Sequence, residues 1–465
     1  VTALGCALLA AAGFGLSLHV GSVWALAWIA PVPVLWFAAG PAPAPHVFAA
    51  AWLAYAAGML GEIWAYAGVL PIPLLAVILI GPALLFAVSI MIMRRIARKM
   101  GPIAAMLGFA AVGTGFDYLL AFGPDGPAVS PAYSQVGAPF LIQGAAWFGP
   151  FVVTFLLGFV PAGLALSVRT RRLLPCVLAA CAFLGNAGFG VARMDLAVAR
   201  PVMRVGLAVD DTLLRESVTA SAASASTVGI AYGRAARTLT EDGAGLIVLP
   251  EKLAIVAPGW RDAAMAPLRE AALQARVTVV AGFEDRDGGD WNEALVLPPS
   301  PSAAIATYRK RHLVPGWEGR FSPGNAPLVL PDGTGIAICK DMDFPSMLRA
   351  DARAGHPTLV AVPAWDFGAD GWLHARMAIL RGVEEGFAVA RAARDGLLTL
   401  SDAYGRVVAT APSDAGGMVL LVGDVRRGPG DTVYGRIGDV FAFGCIALSV
   451  VLVGLGFARR PRPGP

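Results

Sequence analysis

Polarity along the chain changes character once. Up to about residue 192 the sequence is a succession of long apolar runs punctuated by Gly and Pro, and the first 93 residues hold no Lys or Arg. The runs predict helices at about 3–19, 23–39, 47–66, 70–93, 102–122, 140–168 and 173–192, with an eighth at about 439–457. Each approaches the roughly 20 residues that a membrane crossing needs, the second and third marginally because Pro blurs their ends. Seven such runs in succession, with no amphipathic helix between them, argue against buried helices of a soluble protein. The first run lacks a preceding basic segment and is followed by more apolar runs, so it is expected to stay in the membrane rather than to act as a cleaved leader.

From about 203 the pattern shortens. Strands are predicted at 203–209, 245–249, 277–283, 293–297, 335–339, 358–362, 387–391 and 397–400, and helices at about 226–241, 260–274, 345–354 and 371–384. Short apolar strands alternating with longer helices predict an α/β domain, and about 240 residues suffice for one core. The expected organisation is a seven-helix transmembrane domain (1–192), an exported domain (193–436), a C-terminal membrane helix (437–458) and a basic tail (459–465).

Composition agrees with this division: 57% of the residues are apolar and 15% charged, against about 45–50% and about 25% in ordinary soluble domains. The basic residues set an orientation. Arg94, Arg95, Arg98 and Lys99, then Arg169, Arg171 and Arg172, then Arg459, Arg460 and Arg462 all fall on one side of an eight-helix arrangement, while the short loops of the other side, such as 123–138, lack Lys and Arg. Both chain ends are therefore expected in the cytoplasm and the domain 193–436 on the outer face of a bacterial plasma membrane. The net charge of +4 is accounted for by those clusters. No basic stripe with interleaved aromatics argues for nucleic acid.

Of five cysteines, Cys6, Cys176, Cys181 and Cys445 lie in membrane runs, which leaves Cys339 alone in the exported domain, without a disulfide partner there. It ends a strand in GIAICKDMDFP. GLIVLPE ends another strand in Glu251, and TYRKRHLVP carries Lys310 in a loop. Polar groups just beyond strand ends meet over a sheet edge in α/β folds. A thiol with pKa about 8.5 needs a base such as a carboxylate, and an ammonium stabilises the oxyanion formed when sulfur attacks an acyl carbonyl. Each residue also fits a structural role: Glu251 and Lys252 as a surface pair, Lys310 in a solvated Arg-Lys-Arg run, Cys339 as inert core. Spacing alone leaves these alternatives open. His312, His356 and His374 form no ligand-like cluster, and no phosphate loop is present, so neither a metal nor another cofactor is expected.

These motifs resemble the Glu-Lys-Cys triad of the nitrilase, or carbon-nitrogen hydrolase, superfamily, and with membrane helices before and after them the whole chain resembles its membrane-bound branch, the bacterial apolipoprotein N-acyltransferases. The resemblance implies a four-layer αββα exported domain, Glu251 as general base, Lys310 for the oxyanion and Cys339 as nucleophile. It also implies supporting roles for Glu318 in VPGWE and Asp341, and extends over GVEEGFAVAR, DAYGR and GDTVYGRIGD. The activity implied is acyl transfer from a membrane phospholipid, through a Cys339 thioester, to the α-amine of a diacylglyceryl-cysteine at a lipoprotein N-terminus, by a monomer without cofactor.

Segment 311–326, with Trp317 and Phe321, is a candidate lid or a packed loop, and Trp365 in WDFGADGW a candidate rim. Glu62 and Asp117 stand near helix ends, where interfacial solvation explains them as well as substrate contact does. Departures from the family pattern fall at PEKL (Pro-Glu-Thr-Ala is usual), at Lys340-Asp341 (Tyr-Glu is usual), in RVGLAVD and in AWDFG. They leave room for an N-acyltransferase with another amine acceptor, for a membrane-bound amidase, or for a catalytically silent lipid-binding protein.

Overall fold

The computed structural model describes residues 2–195, 200–216, 221–287 and 289–458. The basic tail 459–465, and 196–199 within the expected linker, lie outside the described residues. The chain divides into two compact units, one of Val1–Leu196 with Ile437–Pro465, the other of Ala197–Arg436.

The first unit is helical: α1 (Ala3–Ser17), α2 (Val32–Ala38), α3 (Ala44–Gly58), α4 (Leu60–Tyr66), α5 (Ile72–Met100), α6 (Pro102–Leu120), α7 (Pro139–Ile142), α8 (Ala145–Phe148), α9 (Phe151–Thr170), α10 (Leu173–Asp195) and the helix Val440–Ala458. Among the described residues six segments are long and apolar enough to cross a membrane, not eight. The first run stops at Ser17, and the second is interrupted between Trp28 and Val32, where Pro31 and Pro33 reset the chain. The run expected at 140–168 breaks at Gly149, whose φ of 73° opens the helix before Pro150. Helix α5 runs past its expected end to Met100, so Arg94–Lys99 belong to its last turns rather than to a loop. Cations at a helix C-terminus complement the exposed carbonyls there, and Gly101 (φ 96°) with Pro102 supplies the stop.

Glu62 and Asp117 correct another expectation. Both are buried, at 5% exposure each. A carboxylate in an apolar bundle needs donors: the Val20 N–H donates to Glu62 across 2.7 Å, and the Ser130 and Thr154 hydroxyls donate to Asp117 across 2.8 and 2.6 Å.

The second unit holds β1 (Val202–Val209), β2 (Leu246–Val248), β3 (Ile255–Val256), β4 (Thr278–Asp285), β5 (Trp291–Leu297), β6 (Ala306–Arg309), β7 (Leu328–Val329), β8 (Thr334–Ile336), β9 (Leu359–Trp365), β10 (Ala388–Arg394), β11 (Leu397–Ser401), β12 (Val407–Pro412) and β13 (Val419–Arg426). Its helices are α11 (Asp211–Glu216), α12 (Ala222–Glu241), α13 (Arg261–Ala275), α14 (Pro345–Gly355), α15 (Gly371–Glu385) and α16 (Val433–Ile437). One sheet runs β13-β1-β2-β4-β5-β6 with β3 beside β4, the other β12-β11-β10-β9-β8-β7.

Strand alternation sends half of each sheet's apolar side chains toward the other sheet. Val205, Leu207, Val248 and Val280 from the first meet Ile336, Ile338, Leu359 and Ala390 from the second in one buried core. The first sheet's outer face packs on α12 and α13 through Leu239, Tyr232 and Leu268, and the second packs on α14 and α15 through Leu348 and Ala378. The result is the four-layer αββα sandwich. Strands β3, β6, β7, β12 and β13 were not among those expected from the sequence, and β6 places Lys310 directly at a strand end.

Candidate active site

Glu251 follows β2 through a tight turn. Lys252 adopts φ 53°, a left-handed conformation unusual for a residue with a Cβ. The turn lies against Gly282 of β4, where a Cβ would stand 2.6 Å from the Glu251 Cα. The glycine is therefore what lets the carboxylate enter the sheet edge. Glu251 is 1% exposed, which excludes a surface pair.

Lys310 leaves β6. Strand alternation turns Tyr308 and Lys310 inward and Arg309 outward, where its guanidinium lies 3.8 Å over the Trp291 ring. The Arg-Lys-Arg run is thus not a solvated stretch: Lys310 is 1% exposed, and Arg311 pairs with Asp351. The Lys310 backbone N–H donates to the Asn292 carbonyl across 2.8 Å, and its own carbonyl accepts from the Gly324 N–H at the same distance.

Cys339 opens a short 3-10 turn, Cys339–Asp343, after β8. Its φ of 42° is again left-handed, and such strain persists only where surroundings hold it. Asp341, fully buried, supplies that hold: one oxygen accepts from the Ile338 N–H (3.1 Å) and the Tyr308 hydroxyl (2.8 Å), the other from the N–H groups of Arg311 (3.1 Å) and His312 (2.9 Å). Asp341 therefore joins the cysteine turn to the lysine segment without touching Lys310. The Cys339 thiol, partly exposed, donates to the Trp365 carbonyl across 3.3 Å.

The charged groups interlock. Lys310 Nζ donates to Glu251 Oε1 at 2.9 Å and to Glu318 Oε2 at 2.8 Å. Asn292 Nδ2 bridges the two carboxylates, 2.5 Å from Glu251 Oε1 and 2.7 Å from Glu318 Oε1. The Lys252 ammonium donates to Glu318 Oε1, and Glu318 Oε2 also accepts from the Val314 N–H at 2.9 Å. Two carboxylates facing two ammoniums leave no buried charge uncompensated. Among the described residues, Glu251 Oε2 and, in the same cluster, Asn292 Oδ1 are buried with no hydrogen-bond partner.

Burial opposes the charge on Lys310, but the Glu251 and Glu318 carboxylates outweigh it and hold the ammonium well above its ordinary pKa. Burial likewise pushes Glu318 up, and Lys310 with Lys252 overcomes it, holding that carboxyl at about 2. The Cys339 thiol is pushed far up, first by burial and then by the Glu251 charge, against the opposing Lys310 and Arg391. At neutral pH the resting site therefore contains a thiol, not a thiolate.

All three predicted residues line one cleft of about 550 Å³, within the usual range for small-molecule sites of about 300–1,000 Å³. Its walls include Trp317, Phe321, Trp365 and Phe367. Trp317 is 57% exposed and meets the Phe367 ring at 5.9 Å. Phe321, expected on the rim, is 5% exposed and forms an inner wall. The 311–326 segment is thus anchored by buried Glu318 and Phe321, with exposed residues on either side of them, Trp317 among these. Below the thiol, buried Arg391 pairs with both oxygens of Asp366.

Sequence reasoning passed over Asn292 and gave Lys252 no part in the site. A lone Asn at a strand start carries no chemical signature, whereas Lys252 stood out as a departure in PEKL. Among the described residues no group of His, Cys, Asp and Glu is arranged for a metal. His312 stacks on Phe344 at 3.6 Å, His356 ends α14, and His374 pairs with Asp370.

The carbon-nitrogen hydrolase family profile matches residues 212–428, and that of the apolipoprotein N-acyltransferase N-terminal domain matches residues 10–163. The chain is 28% identical over 398 residues to an apolipoprotein N-acyltransferase of Geobacter metallireducens, spanning 77% of this chain and 75% of the relative. It is 25% identical over 403 residues to one of Allorhizobium ampelinum, spanning 78% and 74%. An (R)-stereoselective amidase of a Pseudomonas species is 33% identical over 193 residues, 36% of this chain and 69% of the relative.

Proposed function

The chain belongs to the apolipoprotein N-acyltransferase family of the carbon-nitrogen hydrolase superfamily, and from that premise we propose that it moves an acyl chain from a membrane phospholipid, through a thioester on Cys339, to the N-terminal α-amine of a diacylglyceryl-cysteine lipoprotein. The observation that carries the mechanism is the unpartnered, buried Glu251 Oε2 in the cleft that Cys339 lines, while Oε1 is held by Lys310 and Asn292. One oxygen is fixed and the other is available for a proton.

In the first half-reaction Glu251 takes the thiol proton as sulfur attacks the ester carbonyl. The C–S bond forms, the C–O bond breaks, and the proton passes to the departing lysophospholipid oxygen. Lys310 and the Lys340 backbone N–H stabilise the oxyanion. A raised thiol pKa suits this sequence, because deprotonation is coupled to attack and no idle thiolate is exposed to oxidants. In the second half-reaction the neutral amine attacks the thioester. The C–N bond forms, the C–S bond breaks, and Glu251 carries the amine proton to the leaving sulfur.

The enzyme is a multi-pass inner-membrane protein, in keeping with its apolar helices and relatives. We place both ends of the chain in the cytoplasm and the catalytic unit on the outer face, on the strength of the Arg94–Lys99 and Arg169–Arg172 clusters. The chain acts as a monomer in this reading.

The test is product analysis with a phospholipid labelled in its acyl chain. Label should move to the amine of a diacylglyceryl peptide, with little free fatty acid. Free fatty acid as the sole product, with or without peptide, would mark a hydrolase and overturn the transferase reading.

A further inference from the structure

The residue after the general base is unlike its counterpart in the family pattern, and its surroundings give it work. Lys252 is mostly buried, with 14% of its side chain exposed. Its backbone is left-handed, and its side chain lines the cleft. Its ammonium donates to Glu318 Oε1, lies 4.9 Å over the Phe321 ring and 5.5 Å over the Trp365 ring. Glu318 and Phe321 belong to the lysine segment, while the Trp365 carbonyl receives the Cys339 thiol. One ammonium thus touches the groups that flank both Lys310 and Cys339.

Glu318 connects the two cations. Its Oε2 holds Lys310, and its Oε1 is shared by Lys252 and Asn292. Without Lys252, Oε1 would keep only the Asn292 amide. The carboxylate would then be free to rotate toward Lys310 and draw that ammonium away from the developing oxyanion. Each ring would keep a cation of its own, Arg320 at 4.7 Å from Phe321 and Arg394 at 4.0 Å from Trp365, but would lose the one that spans both.

We propose that Lys252 is a positioning residue for acyl transfer: by anchoring Glu318 between two ammoniums it fixes Lys310 where the oxyanion forms. The inference rests on the thioester mechanism above but not on the identity of donor or acceptor. Lys252 itself does not contact the reacting atoms.

The experiment uses the full chain in detergent and measures single-turnover acylation of Cys339 by intact mass, with phospholipid vesicles and, separately, with the activated ester p-nitrophenyl palmitate. Lys252→Met keeps the aliphatic stem and removes the charge. It should slow acylation about tenfold, as misplacement of a reacting group by a remote change does, with a smaller change in the half-saturating donor concentration. Lys252→Arg should recover most of the rate. In a Glu318→Gln background the same Met substitution should have a much smaller further effect, because the carboxylate charge that Lys252 anchors is already gone. Equal rates for Lys252→Met and the parent protein, or an undiminished tenfold loss in the Glu318→Gln background, would overturn the proposal. Because the activated ester acylates Cys339 irrespective of lipid recognition, a parent protein that reacts with it but not with phospholipid contradicts the functional reading and leaves the Lys252 comparison intact.

Discussion

Tyr308 and Asp341 meet at 2.8 Å in a buried seam, hydroxyl to carboxylate, one from a strand of the first sheet and the other from the turn that follows a strand of the second. The contact fixes the lysine-bearing and cysteine-bearing segments relative to each other. Burial, then the Asp341 charge, pushes the Tyr308 phenol well above its ordinary pKa, so it remains a donor at any working pH.

Replacing Asp341 by Asn therefore does more than remove a charge. The carboxylate accepts four donors on its two oxygens, whereas an amide presents two N–H groups of its own to one pair of them. Asp341→Asn should lower stability by about 2–4 kcal/mol and slow thioester formation. Tyr308→Phe, which removes one donor, should cost only about 1 kcal/mol. Thermal unfolding and single-turnover acylation of both variants check this order.

Lys310 faces two buried carboxylates, so Lys310→Met strands negative charge in the interior. The expected cost is about 3–5 kcal/mol of stability, together with a loss of acylation rate of about 10²–10³ for the missing oxyanion donor. Glu251→Gln, which leaves the pocket filled, should be nearly as inactive but more stable than Lys310→Met. Measuring the unfolding temperature and the acylation rate on both variants separates the two effects.

Gly282 is required by close approach, not by a turn. A methyl group there would press on the Glu251 Cα at 2.6 Å and the Pro250 carbonyl at 2.7 Å, and both are backbone atoms that cannot swing aside. Gly282→Ala should leave the membrane-embedded helices assembled but displace the base, so acylation falls at least about tenfold. Retention of full activity would show that the turn has slack.

The sequence made part of this arrangement visible and hid the rest for identifiable reasons. Glu251 and Cys339 stand at the ends of strongly apolar strands, so alternation and chemistry coincide there. Lys310 was recognisable only through the surrounding motif, because β6 (ATYR) is too short and polar to show a strand period. Asn292 carries no signature before the fold sets it between two carboxylates. The breaks at Pro31 and Gly149 were equally obscured, since an apolar run reads the same whether one helix or two short ones pass through it.

His374 provides a handle on pH. Burial alone would lower its pKa, but Asp370 at 2.9 Å outweighs burial, with Asp366 and Asp343 adding, and raises it to about 9 from 6.5. A raised folded-state value means the stabilisation is complete below pH 6.5 and is lost as pH climbs through about 9, by at most about 3 kcal/mol. Glu385, raised to about 8 by burial and then by Glu384, acts in the same direction between its unfolded value and pH 8. The unfolding temperature should therefore fall between pH 6.5 and 9, and His374→Gln should flatten that fall. An unchanged slope in the variant would locate the sensitivity elsewhere.

The central claim is that Cys339 carries the acyl chain, and intact-mass analysis of the full-length protein after incubation with phospholipid tests it most directly. The parent protein should gain one acyl mass, Cys339→Ala none, and the gain should disappear when a diacylglyceryl peptide with a free α-amine is added. An acyl mass found equally on both proteins, or on neither while peptide acylation proceeds, would contradict the thioester.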